Sequence, residues 1–283
     1  MEIKRRFVFH GNAAPFGGRL VRPADVVLES NGGSSLPVTG GRWRSNIDNA
    51  IFGDVIKVGS ASTFVEGLFD DVKQAVEASH GRVRQDALTA TTNVNAEVRE
   101  IVVGVKPQLT VTRLHAALGS RSPAGGGEPG IRLGDDSAIE GAAIDGHKLV
   151  IELNAPVFQT YDTHSKLRTA ADDPEFVREH GDSLLMTSAF GGRPAPPTGH
   201  LNEGRAGIYA TIVKSVRWDG EPYPGAQIDH HVVTVPNFGQ IFFGEILITA
   251  EARRLTMLRL ELGSPDGGDV AFAEVESNGT WSP

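Results

Sequence analysis

The chain contains no cysteine, which excludes disulfides, thiolate nucleophiles and sulfur metal ligands together. It also has no apolar run near the ~20 residues that a membrane-spanning helix needs. Met1–His10 carries Lys4, Arg5 and Arg6, but no apolar stretch of signal-peptide length follows. The absence of cysteine does not fix the compartment, but the two missing apolar stretches predict a cytoplasmic protein with no membrane partner. Basic clustering is thin: the densest run is Lys4–Arg5–Arg6, followed by Arg42 and Arg44, and neither continues into a stripe, within a net charge of −8. Phosphate backbones need a continuous Lys/Arg footprint, so no nucleic-acid partner is expected. Aromatics make up 7% of residues, and Trp43, Trp218 and Trp281 lie far apart in the sequence. Trp218-Asp219-Gly220 is read as a strand end with a hairpin turn, not as a stacking platform. No P-loop, G-x-G-x-x-G, G-x-S-x-G or H-E-x-x-H is present.

Glycine and proline are plentiful, 34 and 16 in 283 residues. Many tight turns follow, which favours short strands over a helical bundle. Strands are expected at 2–9, 25–29 and 54–58, with loops at Gly11–Gly18 and within 31–48. Thr63 and Glu66 have capping-box spacing, and Phe64, Val65, Leu68, Phe69, Val72 and Val76 recur at three- and four-residue intervals. That pattern predicts an amphipathic helix over 63–80, stopped by His80-Gly81. Strands at 100–105 and 110–118 flank a turn at Lys106-Pro107-Gln108. Gly119–Gly130 has linker composition. In the second half, Asp145-Gly146 between apolar runs marks a hairpin. A poorer helix is expected over 163–180, with Asp173-Pro174 as a cap and first helical residue. A Gly/Pro loop at 190–205 precedes strands at 207–217, 230–235, 239–249, 254–262 and 269–275.

Two stretches resemble each other. Val98–Val103 parallels Phe243–Ile248, and Thr112–Ser120 parallels Thr256–Ser264 without a gap. Leu114, Ala116 and Leu118 share one strand face, as Leu258, Leu260 and Leu262 do, with His115 and Arg259 on the other. The fold class expected is therefore β-dominated α+β with two similar halves, a duplication in which each half is mostly antiparallel sheet with one covering helix. The halves are 1–122 and 131–283, the second carrying an insertion at about 182–235. Exposed sheet edges in such halves pair readily, which predicts self-association into a homo-oligomer.

Chemistry is sparser. Gly181-Asp182-Ser183-Leu184 resembles the nucleophile block of the GDSL esterases and lipases. That family carries the block near its N-terminus after a buried strand, with a later Asp-x-x-His. Here it follows a helix in mid-chain and no Asp-x-x-His comes after it, so the segment reads as a helix-stop loop. Asp-x-His occurs three times, more often than composition alone gives: Asp145-Gly146-His147, Asp162-Thr163-His164 and Asp229-His230-His231. The first reads as turn chemistry and the second as a helix start with Asp162 capping. On a strand, Asp229 and His231 would face one side, and imidazole with carboxylate suits zinc, iron or manganese. Asp229, His231 and His164 are thus the candidate metal ligands, a divalent metal being the cofactor they would take. Glu245 joins them as a candidate catalytic group: facing inward, it would have a raised pKa, and facing solvent it would blunt a sheet edge, as Glu100 would on the matching strand. Arg193, in the Gly/Pro loop, could reach an anion, although a crossover is the simpler role.

Two functions remain in view. One is a non-enzymatic binding or assembly protein, with a small-molecule ligand left open. The alternative is a metal-assisted hydrolase or isomerase using the Asp/His cluster.

Overall fold

Apolar and polar residues alternate with a period of two through most of the chain, and that alternation becomes sheet. The computed structural model describes residues 6–29, 31–70, 88–180 and 207–282. Of these, 64% are strand and 9% helix. The first strands are β1 (Arg6–Arg22), β2 (Val26–Leu28), β3 (Ser34–Ser35), β4 (Gly41–Phe52), β5 (Ile56–Asp70), β6 (Thr89–Val103) and β7 (Leu109–Pro123). Four shorter ones follow: β8 (Gly130–Leu133), β9 (Ala138–Glu140), β10 (Ala143–Ile144) and β11 (His147–Leu153). Then come helices α1 (Ala155–Thr160), α2 (His164–Ala171) and α3 (Pro174–His180). The remaining strands are β12 (Ile208–Thr211), β13 (Val213–Asp219), β14 (Gln227–Asp229), β15 (Val232–Val235), β16 (Gly239–Ile248), β17 (Ala252–Leu262) and β18 (Gly267–Ser282).

They form two antiparallel sheets. The first has the order β14-β15-β16-β17-β18-β1-β2, with β12 beside β16 and β3 beside β1. The second runs β13-β11-β10-β7-β6-β5-β4, with β8 and β9 beside β7. β1 and β18 lie over β5, β6 and β7, and one continuous core fills the space between. Phe9, Phe16, Phe243 and Phe272 enter it from the first sheet, Val65, Val98 and Leu114 from the second. Each such side chain contributes about 1.5–3 kcal/mol by leaving water. Gly11 lets β1 approach closely: a Cβ there would come within 2.8 Å of Val94 Cγ1. Trp281 joins Phe7 and Phe69, with ring centroids 5.2 and 6.0 Å away.

Each sheet carries a row of pairing breaks at one level. Across β4–β7, Asn49, Gly59, Glu100 and Thr112 drop out of otherwise constant registers. Across β16, β17, β18 and β1 the residues are Gly244, Met257, Ala273 and Pro15. Asn49, Glu100, Gly244 and Ala273 have φ between 51° and 63°, the left-handed region that interrupts a ladder. At this level the interval between buried residues becomes three instead of two. Val98 and Ile101 are both buried, as are Val111 and Leu114, Leu255 and Leu258, and Phe272 and Val275.

Several expectations are met. Leu114, Ala116, Leu118, Leu258, Leu260 and Leu262 are all buried on strands. Asp145 and Gly146, with φ of 46° and 86°, turn β10 into β11, the I′ geometry such a pair favours. Asp173 Oδ1 accepts from the Glu175 N–H at 2.9 Å as α3 begins with Pro174.

Others need correction. Thr63–Asp70 are not helical but continue β5, and 71–80 lie outside the described residues. Thr63 and Gly67 are buried among Ala61 and Val65; a small polar residue and a glycine occupy inward positions, which disguised the two-residue period. The Thr63 hydroxyl donates to the Gly32 carbonyl at 2.6 Å and lies 2.7 Å from Ser34 Oγ. Glu66 pairs across the sheet with Arg42. The capping-box residues thus serve strand pairing. Gly11–Gly18 is the middle of β1, and Gly119–Pro123 belongs to β7. Gly41–Phe52, read within a loop region, is strand β4. The helix expected over 163–180 is two helices parted at Asp172-Asp173, where both aspartates favour turn conformations over helix continuation.

No described helix is long and apolar enough to cross a membrane.

Candidate functional site

Of the sequence candidates, His231 and Glu245 come together and the rest do not join them. β14 and β15 form a hairpin in which Asp229 pairs with Val232, so His230 and His231 are the turn. His230 supplies the left-handed residue, with φ of 53°. The turn ends the strand alternation: the Asp229 side chain is 77% exposed and 3.6 Å from His230, whereas the His231 side chain is 3% exposed. His231 points toward β16, where its Nε2 lies 3.9 Å from Glu245 Oε1. Its Nδ1 is buried and has no hydrogen-bond partner among the described residues.

Glu245 lies on the outer face of the first sheet, opposite Thr256. Arg259, across the pairing break on β17, donates to it twice: Nε to Oε2 at 2.6 Å and a terminal nitrogen to Oε1 at 2.9 Å. The same guanidinium lies 3.7 Å over the Phe242 ring and donates to Glu261 at 2.7 Å. Burial pushes the Glu245 carboxyl up, but hydrogen bonds and charge from Arg259 and His231 outweigh it and hold the group below the usual carboxylate range. The raised pKa expected of an inward Glu245 is therefore replaced by a lowered one. An ionised carboxylate held bidentately by arginine is not available as a general acid.

His164 opens α2, where its backbone N–H donates to Glu128 at 2.5 Å. The cap of that helix is Thr163, whose hydroxyl accepts from Lys166 N–H. Asp162, expected to cap, instead pairs with Lys166 at 2.7 Å and Arg132 at 3.0 Å. His147 reaches the Glu221 carbonyl at 2.9 Å. Glu100 sits in the pairing break of β6, and Trp218 pairs opposite Leu149 on β13. Ser183 and Arg193 lie outside the described residues. Among the described residues no group of three or more His, Asp or Glu is placed to hold a metal.

Two residues escaped the sequence reading. Arg259 was placed only by its strand face; in the 239–262 hairpin it pairs opposite Phe242 and reaches Glu245 across the break. Arg253 is 1% exposed and donates to the carbonyls of Phe158 and Tyr161 at 3.2 and 2.5 Å, closing the end of α1. Burial lowers its pKa to about 10 against the opposing pull of Asp162 and Glu128. A polar pocket of about 460 Å³ opens on the outer face of the first sheet, lined by Asn12, Ala14, Ser35, Arg254, Glu274 and Glu276.

Residues 7–249 match the family described as Domain of unknown function (DUF8256). No curated protein and no solved structure matches the chain.

Proposed function

The chain belongs to the DUF8256 family, and we propose that it is a non-enzymatic binding or assembly protein. The observation that carries this reading is the long outer strand β4, which has a solvent-exposed Trp43 and Ile51, 60% and 61% accessible, and no strand on its far side among the described residues. Exposed edge strands of this length template the addition of another strand. Sedimentation of the full chain over a range of concentrations, alone and as Trp43→Asp, tests it. Concentration-dependent association that the substitution abolishes supports the reading. A monomer at every concentration that captures no protein through β4 removes it.

The second reading, a metal-assisted hydrolase or isomerase, rests on His231 beside Glu245, with the His231 Nδ1 buried and without a hydrogen-bond partner among the described residues; Asp229 and His164 lie apart from that pair. Metal analysis of the purified protein separates the two: a stoichiometric transition metal lost in His231→Ala, with folding intact, would favour the enzyme.

The duplication also belongs here as a proposal. In its support, β6 and β16 each break pairing at one positive-φ residue, Glu100 and Gly244, one position from the sequence match of Glu100 to Glu245, and each is followed by a hairpin partner with inward leucines.

A further inference from the structure

Among the described residues the outermost strands of the two sheets are unequal. β2 and β14 have three residues each and β13 has seven, whereas β4 has twelve. Short edges resist further pairing; a long one needs charge, proline or a cover to do so. β4 contains neither proline nor lysine, and its charges, Arg42, Arg44 and Asp48, are of both signs and so can be matched by a second copy. Its outer face presents Arg42, Arg44, Asn46 and Asp48, and its inner face Trp43, Ser45 and Ile47, as the pairing with β5 fixes.

We infer that β4 pairs with β4 of a second copy of this chain, antiparallel, about a two-fold axis at Ser45. The inference rests on the assembly reading above and names its partner. In an antiparallel pair, residues directly opposite share a face. A two-fold axis perpendicular to the sheet pairs residue i with a residue of the same parity, so the axis must pass at a residue. Centred on Ser45, the register sets Arg42 opposite Asp48 of the other copy, Trp43 opposite Ile47, and Arg44 opposite Asn46. The first is an ion pair, the second apolar and the third a cation with a neutral amide, so no like charges meet. The neighbouring registers fail. Centred on 44, Arg44 meets Arg44. Centred on 46, Arg44 meets Asp48, but Trp43 faces Asn49 and Ser45 faces Ile47, so both apolar residues lose an apolar partner. The Ser45 register also ends where β4 ceases to be regular, with Asn49 (φ 54°) opposite Gly41 (φ 120°). The two second sheets then become one continuous sheet across the axis.

The absence of cysteine makes a direct test available. Ser45→Cys introduces the protein's one thiol at the axis, where copies stand with Cα atoms about 4.5–5.5 Å apart, within disulfide reach. Asn46→Cys places its two thiols roughly 8 Å apart by strand spacing and rise, beyond that reach. Mild oxidation of the full-length protein should link Ser45→Cys into a covalent dimer and leave Asn46→Cys unlinked. In parallel, in a Glu66→Gln background that removes the carboxylate Arg42 already pairs with inside the chain, Arg42→Asp should weaken association at least tenfold at low salt, and Arg42→Asp with Asp48→Arg should restore it to within about threefold. A dimer that links through position 46 but not 45, or that the double exchange fails to rescue, overturns the register while leaving self-association standing. A strictly monomeric protein overturns both, and gives the edge to a strand from a different protein.

Discussion

Arg259 holds Glu245 with two hydrogen bonds from one guanidinium, at 2.6 and 2.9 Å, and His231 completes the row at 3.9 Å. The three side chains come from the β14–β15 turn, β16 and β17, so the contact ties three successive strands on the outer face. Because the folded pKa of Glu245 is lowered, its contribution to stability is complete above the ordinary carboxylate range and is lost as pH falls through the lower folded value. Arg259→Leu leaves burial as the dominant influence on Glu245 and should cost about 2–3 kcal/mol at neutral pH. Urea unfolding as a function of pH checks the sign. The wild type should lose stability on acidification toward the carboxylate range, and the variant should lose less of it, since Glu97 and Asp162 keep their lowered values while Glu245 no longer contributes to the loss.

Arg253 is a buried cation serving two helix-end carbonyls. Arg253→Ala removes the donor, orphans the Phe158 and Tyr161 oxygens and opens a cavity, for an expected loss of about 3–5 kcal/mol. Hydrogen exchange should show α1 and α2 deprotected before the strands of the first sheet. Uniform deprotection would assign Arg253 to the whole core instead.

Phe272, fully buried on β18, lies in the sheet face packed against β6 and β7. Phe272→Ala should destabilise by about 3–5 kcal/mol, measured by chemical denaturation with an unchanged m-value.

Thr63 distinguishes strand from helix at the position where they compete. Thr63→Val keeps the β-branched shape but loses the hydroxyl bonded to Gly32 and facing Ser34. A loss of about 1–2 kcal/mol is expected; a helix with Thr63 as its cap would instead lose helical signal in circular dichroism.

What the sequence displayed clearly was alternation with strong apolar partners. Leu114 to Leu118 and Leu258 to Leu262 were legible because large side chains occupy every inward position. β5 was misread because Thr63 and Gly67 fill inward sites that the eye assigns to polar loops or caps, leaving Phe64, Val65, Leu68 and Phe69 at helical spacing. β4 was invisible for the opposite reason: as an edge it is exposed on most of its length, so burial imposes no period on it. At the site, Glu245 and His231 were legible as candidates, but the Asp229–His231 relation was not, since the reading assumed a strand where a two-residue turn stands. The Arg259 contact crosses the pairing break, where counting in twos gives the wrong neighbour.

The aligned breaks have an evolutionary corollary. Inside and outside exchange parity at the same height on neighbouring strands, so no strand can lose or gain a residue there by itself. A lone deletion beside Glu100 or Met257 would turn the remainder of that strand inside out against unaltered neighbours. Changes of length should accordingly accumulate at the hairpin tips, and the girdle across each sheet should vary in residue type but not in residue number.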